Sequence, residues 1–210
     1  MRALKVAVID YESGNLRSVS RALERAGVRP EVTGDPAVLL KADAAILPGV
    51  GSGDAAMRAL RERGLVEPLR EFVDSDRPFL GVCLGLQLLM DSTEEGDSQC
   101  LGLVPGRTRK LPEGLKVPHM GWNGVDFRAS HPVFEGIPQD SHFYFVHSYY
   151  ADPEPQDLVA GVTEYGIPFC SIMVRENLIA TQFHPEKSGT IGLKVYENFV
   201  RFARLATNGH

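Results

Sequence analysis

Three short apolar runs decide what this chain can fold into. Val6-Ala7-Val8-Ile9, Ala44-Ala45-Ile46-Leu47 and Phe79-Leu80-Gly81-Val82 are continuous instead of alternating, the pattern of strands covered on both faces. Each run breaks into a loop: Asp10-Tyr11-Glu12-Ser13-Gly14-Asn15, Pro48-Gly49-Val50-Gly51-Ser52-Gly53, and Cys83-Leu84-Gly85. Between the runs apolar residues recur at helical spacing. Leu16, Val19, Leu23 and Ala26 precede a stop at Gly27, and Met57, Leu60, Leu65, Leu69 and Phe72 mark helical turns interrupted near Gly64. Val32 belongs to a short second strand, and a helix is expected from Cys83 through Leu84, Leu88 and Leu89. Strands alternating with helices predict a parallel sheet wrapped by helices, with functional groups at the carboxyl ends of the strands.

The second half changes character. From Gly102 to Ala180 strands are expected around 116–118, 124–127, 142–150, 158–163, 168–174 and 178–183, as an antiparallel or mixed continuation of the sheet. A C-terminal helix carrying Leu193, Tyr196, Val200, Ala203 and Leu205 on one face closes it. No linker-like stretch or internal repeat divides the chain, so residues 1–210 are expected to form a single α/β domain: a central, largely parallel or mixed sheet flanked by helices, with a strand-rich second half. Its net charge of −5 argues against nucleic acid as a partner, since a phosphate backbone requires a basic surface. Three cysteines do not make a disulfide framework, and the apolar start is too short for a signal peptide or a membrane span. A reducing, cytoplasmic setting and a small-molecule or protein partner are expected.

Gly81-Val82-Cys83-Leu84-Gly85 sets a thiol between glycines at a strand-to-helix junction, the arrangement of a nucleophile elbow. The helix start favours thiolate, and the Leu84 amide is free to donate to a developing oxyanion. A thiol nucleophile needs a proton acceptor distant in sequence. Of six histidines, His184 stands out because Glu186 follows two residues on: in an extended segment the two side chains face the same way, so the carboxylate can fix the imidazole. His119 and His147 lack a carboxylate at that spacing. Alone, Cys83 reads as readily as a core residue and His184-Pro185-Glu186 as a turn; together they point to chemistry. The loop at Pro48-Gly49-Val50-Gly51 lacks the Gly-Lys-Ser/Thr of a phosphate loop. It follows a parallel strand, so its amides, in particular the peptide joining Val50 to Gly51, can face the elbow, and its glycines allow that peptide to rotate. Gln87 lies one helical turn beyond Cys83. His119, His131, His142 and His147 have no tight metal-ligand spacing with cysteines, and neither a metal nor a cofactor is expected.

These two segments strongly resemble the triad of class I glutamine amidotransferases, with their Gly-x-Cys-x-Gly elbow and late His-Pro-Glu. The resemblance extends through Asp10-Tyr11 with Gly14-Asn15-Leu16, Pro48-Gly49-Val50-Gly51, Pro118-His119-Met120-Gly121-Trp122-Asn123, Tyr144-Phe145-Val146-His147-Ser148-Tyr149 and His184-Pro185-Glu186-Lys187-Ser188. Within that superfamily the set is similar to the glutaminase subunits of imidazole glycerol phosphate synthase, with one departure: Glu12 stands where those proteins typically have glycine. The resemblance implies hydrolysis of L-glutamine by Cys83, His184 and Glu186, with Leu84, Val50 and Gly51 at the oxyanion. It further implies that Gln87, Glu95, Gly51, His147, Ser148 and Tyr149 hold glutamine. By composition alone, Glu94-Glu95-Gly96-Asp97 is a solvated loop, Ser148 and Tyr149 are edge or core residues, and Trp122 is a core anchor. The implied partner is a (β/α)8-barrel cyclase in a heterodimer that receives ammonia, with Asn15, Trp122, Asn123 and Tyr144 near the interface. The neighbouring readings are a glutaminase of another pathway, such as vitamin B6, anthranilate or guanylate synthesis, and a non-catalytic module on the same fold.

Overall fold

The apolar runs become the middle of an eight-stranded sheet in a computed structural model of the chain, which describes residues 2–12, 14–96 and 98–208. Ser13 of the first loop and Asp97 of the acidic run lie outside the described residues. The first half runs β1 (Val6–Ile9), α1 (Leu16–Arg25), β2 (Glu31–Thr33), α2 (Pro36–Leu40), β3 (Ala44–Gly49), α3 (Gly53–Glu62), α4 (Val66–Asp74), β4 (Phe79–Cys83) and α5 (Leu84–Gln87). There follow β5 (Ser92–Thr93), β6 (Ser98–Gln99), β7 (Gly106–Lys110), β8 (His119–Gly124), β9 (Asp126–Phe127), β10 (His142–His147) and β11 (Tyr149–Pro153). The chain then forms β12 (Val159–Glu164), β13 (Pro168–Arg175), β14 (Leu178–Thr181) and α6 (Gly189–Asn208).

The large sheet has the order β2-β1-β3-β4-β14-β13-β12-β9. Its first five strands are parallel and the remaining three antiparallel. Side-chain alternation explains why the runs are apolar throughout. Ala7, Ile9, Ala45, Leu47 and Phe79 pack with residues of α2, α3 and α4 on one face. Val6, Val8, Ala44, Ile46, Leu80 and Val82 pack with α1 and α6 on the other.

The second half departs from a simple continuation of this sheet. The segment expected as one strand over 142–150 splits at Ser148: β10 pairs with β8 in a two-stranded ladder, whereas β11 joins a four-stranded sheet of order β11-β7-β5-β6. The strand expected at 116–118 begins instead at His119. Strand β7, Gly-Arg-Thr-Arg-Lys, was not anticipated because its polar sequence has no strand-like apolar face; its partner β11 supplies the pairing. Helix α2 was likewise unanticipated, although its start carries a legible signal: Asp35 accepts from the Ala37 amide at 2.8 Å and Pro36 occupies the first turn. Helix α5 stops at Gln87 instead of reaching Leu89. The carbonyls of Leu88, Leu89 and Met90 accept from Leu101, Leu103, Val104 and Gly102, which ends the helical ladder.

Backbone contacts at the ends of β3 and β4 determine which residues can stand in the elbow. A Cβ on Gly85 would collide with the Leu47 carbonyl, and one on Gly81 would lie 3.0 Å from the Gly85 carbonyl group. A Cβ on Gly49 would collide with the Tyr11 hydroxyl and approach Leu84 Cβ to 2.8 Å. We expect Gly85→Ala to destabilise the protein by about 1–3 kcal/mol, the usual range for overpacking, as measured by urea unfolding. An unchanged midpoint would mean that β3 and the elbow are less tightly joined than this geometry requires.

Candidate active site

The elbow holds Cys83 at φ 54°, ψ −105°, a positive-φ conformation that strains a residue carrying a Cβ. The thiol is buried but borders a cavity of about 440 Å³ lined by Val50, Gly51, Leu84, Gln87, Glu95, Pro118, Val146, His147, Ser148, Tyr149 and Lys187. All the residues expected to hold glutamine or its oxyanion therefore lie around one space with the thiol. A larger cavity of about 670 Å³ lies elsewhere, between Phe127 and Gln139, and does not include Cys83.

His184 and Glu186 approach from the segment after β14. The His184 amide donates to the Tyr144 carbonyl at 2.9 Å, while the Ser188 hydroxyl donates to the His184 carbonyl at 2.7 Å and accepts from the Tyr144 amide at 3.0 Å. Strand β10 thus fixes the main chain of the histidine segment. His184 Nδ1 lies 2.7 Å from Glu186 Oε1, and both side chains are essentially inaccessible. Burial by itself would lower the His184 pKa, but the neighbouring Cys83 sulfur and the Glu186 carboxylate outweigh it and raise it to about 10. Both the charge interaction and the hydrogen bond with the Cys83 sulfur contribute to that rise. His184 Nε2 is buried and has no aligned hydrogen-bond partner among the described residues.

Sulfur is also met by a residue that the sequence reading passed over. Gln182, fully buried, places Nε2 3.5 Å from Cys83 Sγ, and its Oε1 accepts from Gln87 Nε2 at 3.1 Å. Gln87 Nε2 also donates to the Tyr149 carbonyl at 2.7 Å. Gln87 therefore orients the Gln182 amide with its N–H toward sulfur. The period of two that links His184 to Glu186 continues back to Gln182 and could have found it. The other two cysteines are away from this cavity, and burial pushes the thiols of Cys100 and Cys170 up to about 11 and about 12.

The remaining expected residues divide by what they touch. Glu95 accepts from the Gly53 amide at 2.6 Å, binding the acidic loop to the start of α3. His147 has both ring nitrogens engaged: Nε2 lies 2.9 Å from His119 Nδ1, and Nδ1 lies 2.8 Å from the Tyr149 carbonyl. Asn123 Nδ2 lies 3.3 Å from His119 Nε2, so a neutral tautomer chain runs from Asn123 through His119 and His147 to Tyr149. Burial lowers the His119 pKa to about 4 and that of His147 to about 3, which keeps this chain uncharged at neutral pH. Trp122 is 56% exposed and Met120 62%, so Trp122 is no core anchor; it meets Tyr144 edge-on across the β8–β10 ladder. The side chain of Asn15 donates to Glu186 Oε1, an inward contact that its expected place near an interface did not anticipate. Glu12 has φ 71°, the backbone angle that a glycine would take without strain. Its amide bonds to Asp10 Oδ1 at 2.9 Å and its carboxylate meets Arg63 at 2.6 Å.

A thiol at a sharp strand-to-helix turn on a parallel sheet, near a buried histidine and glutamate, is an arrangement suited to thiol-dependent acyl transfer, and the chain belongs to the class-I glutamine amidotransferases, whose family model matches residues 7–202. Among its relatives, imidazole glycerol phosphate synthase subunit HisH of Dehalococcoides mccartyi strain CBDB1 is 50% identical over 94% of this chain and 97% of its own. The protein of the same description from Moorella thermoacetica is 50% identical over 98% of this chain and 99% of its own. The fold is also that of a solved structure described as a GMP synthase protein from Thermoplasma acidophilum. Its TM-score is 0.77 at 21% identity, covering 99% of this chain and 98% of that one. Among the described residues no helix is long and apolar enough to cross a membrane.

Two measurements follow from the charges. In Cys83→Ala the Glu186 carboxylate remains but the strongest upward influence on His184 is gone, so the imidazole should titrate clearly below about 10 by NMR. A second effect concerns His119 and His147, whose folded pKa values lie below the unfolded value of about 6.5. Below that pH the unfolded chain takes up protons that the folded chain does not, so stability is lost as pH falls from 6.5 toward 4. Urea midpoints should decline over this range, and less steeply in His119→Gln, which keeps an amide but cannot be protonated.

Proposed function

We propose that the chain is the glutaminase subunit of an imidazole glycerol phosphate synthase, hydrolysing L-glutamine to L-glutamate and ammonia for L-histidine biosynthesis. The observation that carries this reading is the placement of Cys83 in the wall of a cavity of about 440 Å³ whose other walls are the residues suited to glutamine. The Cys83 thiolate attacks the side-chain amide carbon, and charge develops on the carbonyl oxygen. The Leu84 amide and the peptide joining Val50 to Gly51 receive that charge, each such donor contributing on the order of a hundredfold or more in rate. His184 Nε2–H protonates the leaving nitrogen, which departs as ammonia and leaves a thioester on Cys83. Nε2 then takes a proton from water as the water attacks the thioester, and glutamate leaves with thiolate restored. Glu186 fixes the tautomer of His184 through Nδ1 and stabilises the imidazolium.

In this reading Glu95 faces the α-ammonium of glutamine, Gln87, Ser148 and Tyr149 hold its polar groups, and His147 shapes the wall through its bonded ring. The partner is a (β/α)8-barrel cyclase, which uses ammonia to form imidazole glycerol phosphate and aminoimidazole carboxamide ribotide. Ammonia protonates in water at neutral pH and loses its nucleophilicity, so a closed interface is needed. Val50, which lines the cavity, and Val117, Met120 and Trp122 are exposed large apolar side chains, and such side chains suit a protein partner. Tyr144 meets Trp122 edge-on and Asn123 follows Trp122 in β8, and in this reading both, with Asn15, face the partner. One domain over residues 1–210 and residence in the reducing cytoplasm agree with a heterodimer built around a free thiol.

Glutamate release by the chain, with and without the cyclase and its nucleotide ligand, tests the proposal. Release should be slow alone and stimulated in the complex; none in either condition overturns the reading. Cys83→Ala should lower turnover by at least about a thousandfold while leaving cyclase binding intact. Retained turnover would remove Cys83 from the chemistry.

A further inference from the structure

Glu186 carries a carboxylate with a fully buried side chain, and the bonds that fix the backbone around it leave the rotation of that carboxylate to be set by side chains. It sits in a single tight turn, Pro185–Lys187, and not in a ladder. Two side chains from elsewhere in the fold meet it. Asn15 Nδ2 donates to Oε1, the oxygen that also faces His184 Nδ1, and the Tyr196 hydroxyl donates to Oε2 at 3.3 Å. The three contacts come from the start of α1, from α6 and from the histidine itself.

Each contact departs from what the residue would do for stability alone. An asparagine at a helix start ordinarily accepts from an amide of the first turn, but Asn15 makes no side-chain bond to its own helix. It stands at φ 79°, a left-handed conformation that asparagine tolerates, and this directs its amide to Glu186. Tyr196 is completely buried among apolar residues, where phenylalanine would pack as well but for the hydroxyl. Its acidity is pushed well down by burial and by the Glu186 charge, so the hydroxyl keeps its proton and remains a donor.

We propose that Asn15 and Tyr196 are positioning residues for the hydrolysis, clamping the two oxygens of Glu186 so that one of them stays aligned with His184 Nδ1. This rests on the triad reading given above. Without the clamp the carboxylate rotates, Nδ1–H loses its acceptor, and Nε2 is no longer aimed at the leaving nitrogen. Neither residue lines the glutamine cavity, so substrate affinity is untouched.

The test compares Tyr196→Phe, Asn15→Gly and Asn15→Asp in the complex with saturating cyclase. Phenylalanine keeps the ring packing, glycine keeps the left-handed backbone, and aspartate keeps the shape while replacing the donor with a negative charge. The first two should lower kcat by about tenfold with KM within about twofold, and aspartate should lower it further. In the isolated chain, the NMR resonance of the His184 Nδ1 proton should shift or broaden in all three, which a merely structural role would not produce in variants of unchanged thermal midpoint. Wild-type kcat together with an unmoved resonance in Tyr196→Phe and Asn15→Gly overturns the proposal, as does a loss confined to KM. Absence of turnover in the wild-type complex would instead overturn the triad reading, and the resonance would still decide whether the clamp orients His184.

Discussion

The approach of one backbone to another at the ends of β3 and β4 is the constraint on which the remaining structure depends. Gly85 lies so close to the Leu47 carbonyl that no side chain fits between them, and Gly81 and Gly49 are held in the same way by Gly85, Tyr11 and Leu84. This contact forces the chain to turn sharply at Cys83, which accounts for its positive φ, and it aims the thiol over the carboxyl ends of the parallel strands. Parallel order brings β14 beside β4, with Thr181 opposite Val82, so the histidine segment leaves the sheet next to the elbow. The pairing register thus places residues about a hundred positions apart in sequence into one site.

Burial of polar groups is tolerated there because each side chain is supplied with a partner. The Cys83 sulfur receives the Gln182 N–H, His184 faces both sulfur and carboxylate, and Glu186 has three donors. An isolated ion in such surroundings would neutralise instead. The histidine pair at the cavity wall follows the opposite course: His119 and His147 have no carboxylate partner among the described residues, burial lowers both pKa values, and the two rings form a neutral hydrogen-bonded pair. Similar residues in neighbouring positions therefore have opposite electrostatic states, and the presence of a carboxylate two residues away separates them.

Most of the parallel half was legible in the sequence, because continuous apolar runs and glycine-bearing loops report directly on burial and turns. The chemistry-bearing pair was legible for a related reason: Cys83 is framed by glycines that packing requires, and His184 and Glu186 share an extended face. What escaped depends on pairing partners. Strand β7 has a polar sequence and exists through β11, and the split of 142–150 between two sheets is set by β8 and β7, not by local pattern. The contacts of Asn15 and Tyr196 with Glu186 escaped for the same reason, since each reaches a carboxylate outside its own element. Trp122 looked like a core residue because tryptophan usually is; the edge of a two-stranded ladder leaves it exposed.

The loop between β3 and α3 combines rigidity and freedom in a definite order along its length. At its base the Pro48 carbonyl accepts from the Tyr11 hydroxyl at 2.9 Å, and at its end the Gly53 amide is held by Glu95. Between these anchors Gly51 has φ 103°, and a side chain built there would meet nothing within 4 Å. Gly51 thus takes a backbone angle that other residues rarely adopt, and Val50, exposed beside it, is open to contact from outside. Glu95 both holds Gly53 and lines the cavity, so the group that fixes the end of the loop is also part of the cavity wall. The loop thus carries its fixed points at its ends and its exposed residue between them, with Val50 and Gly51 both lining the cavity that Cys83 borders.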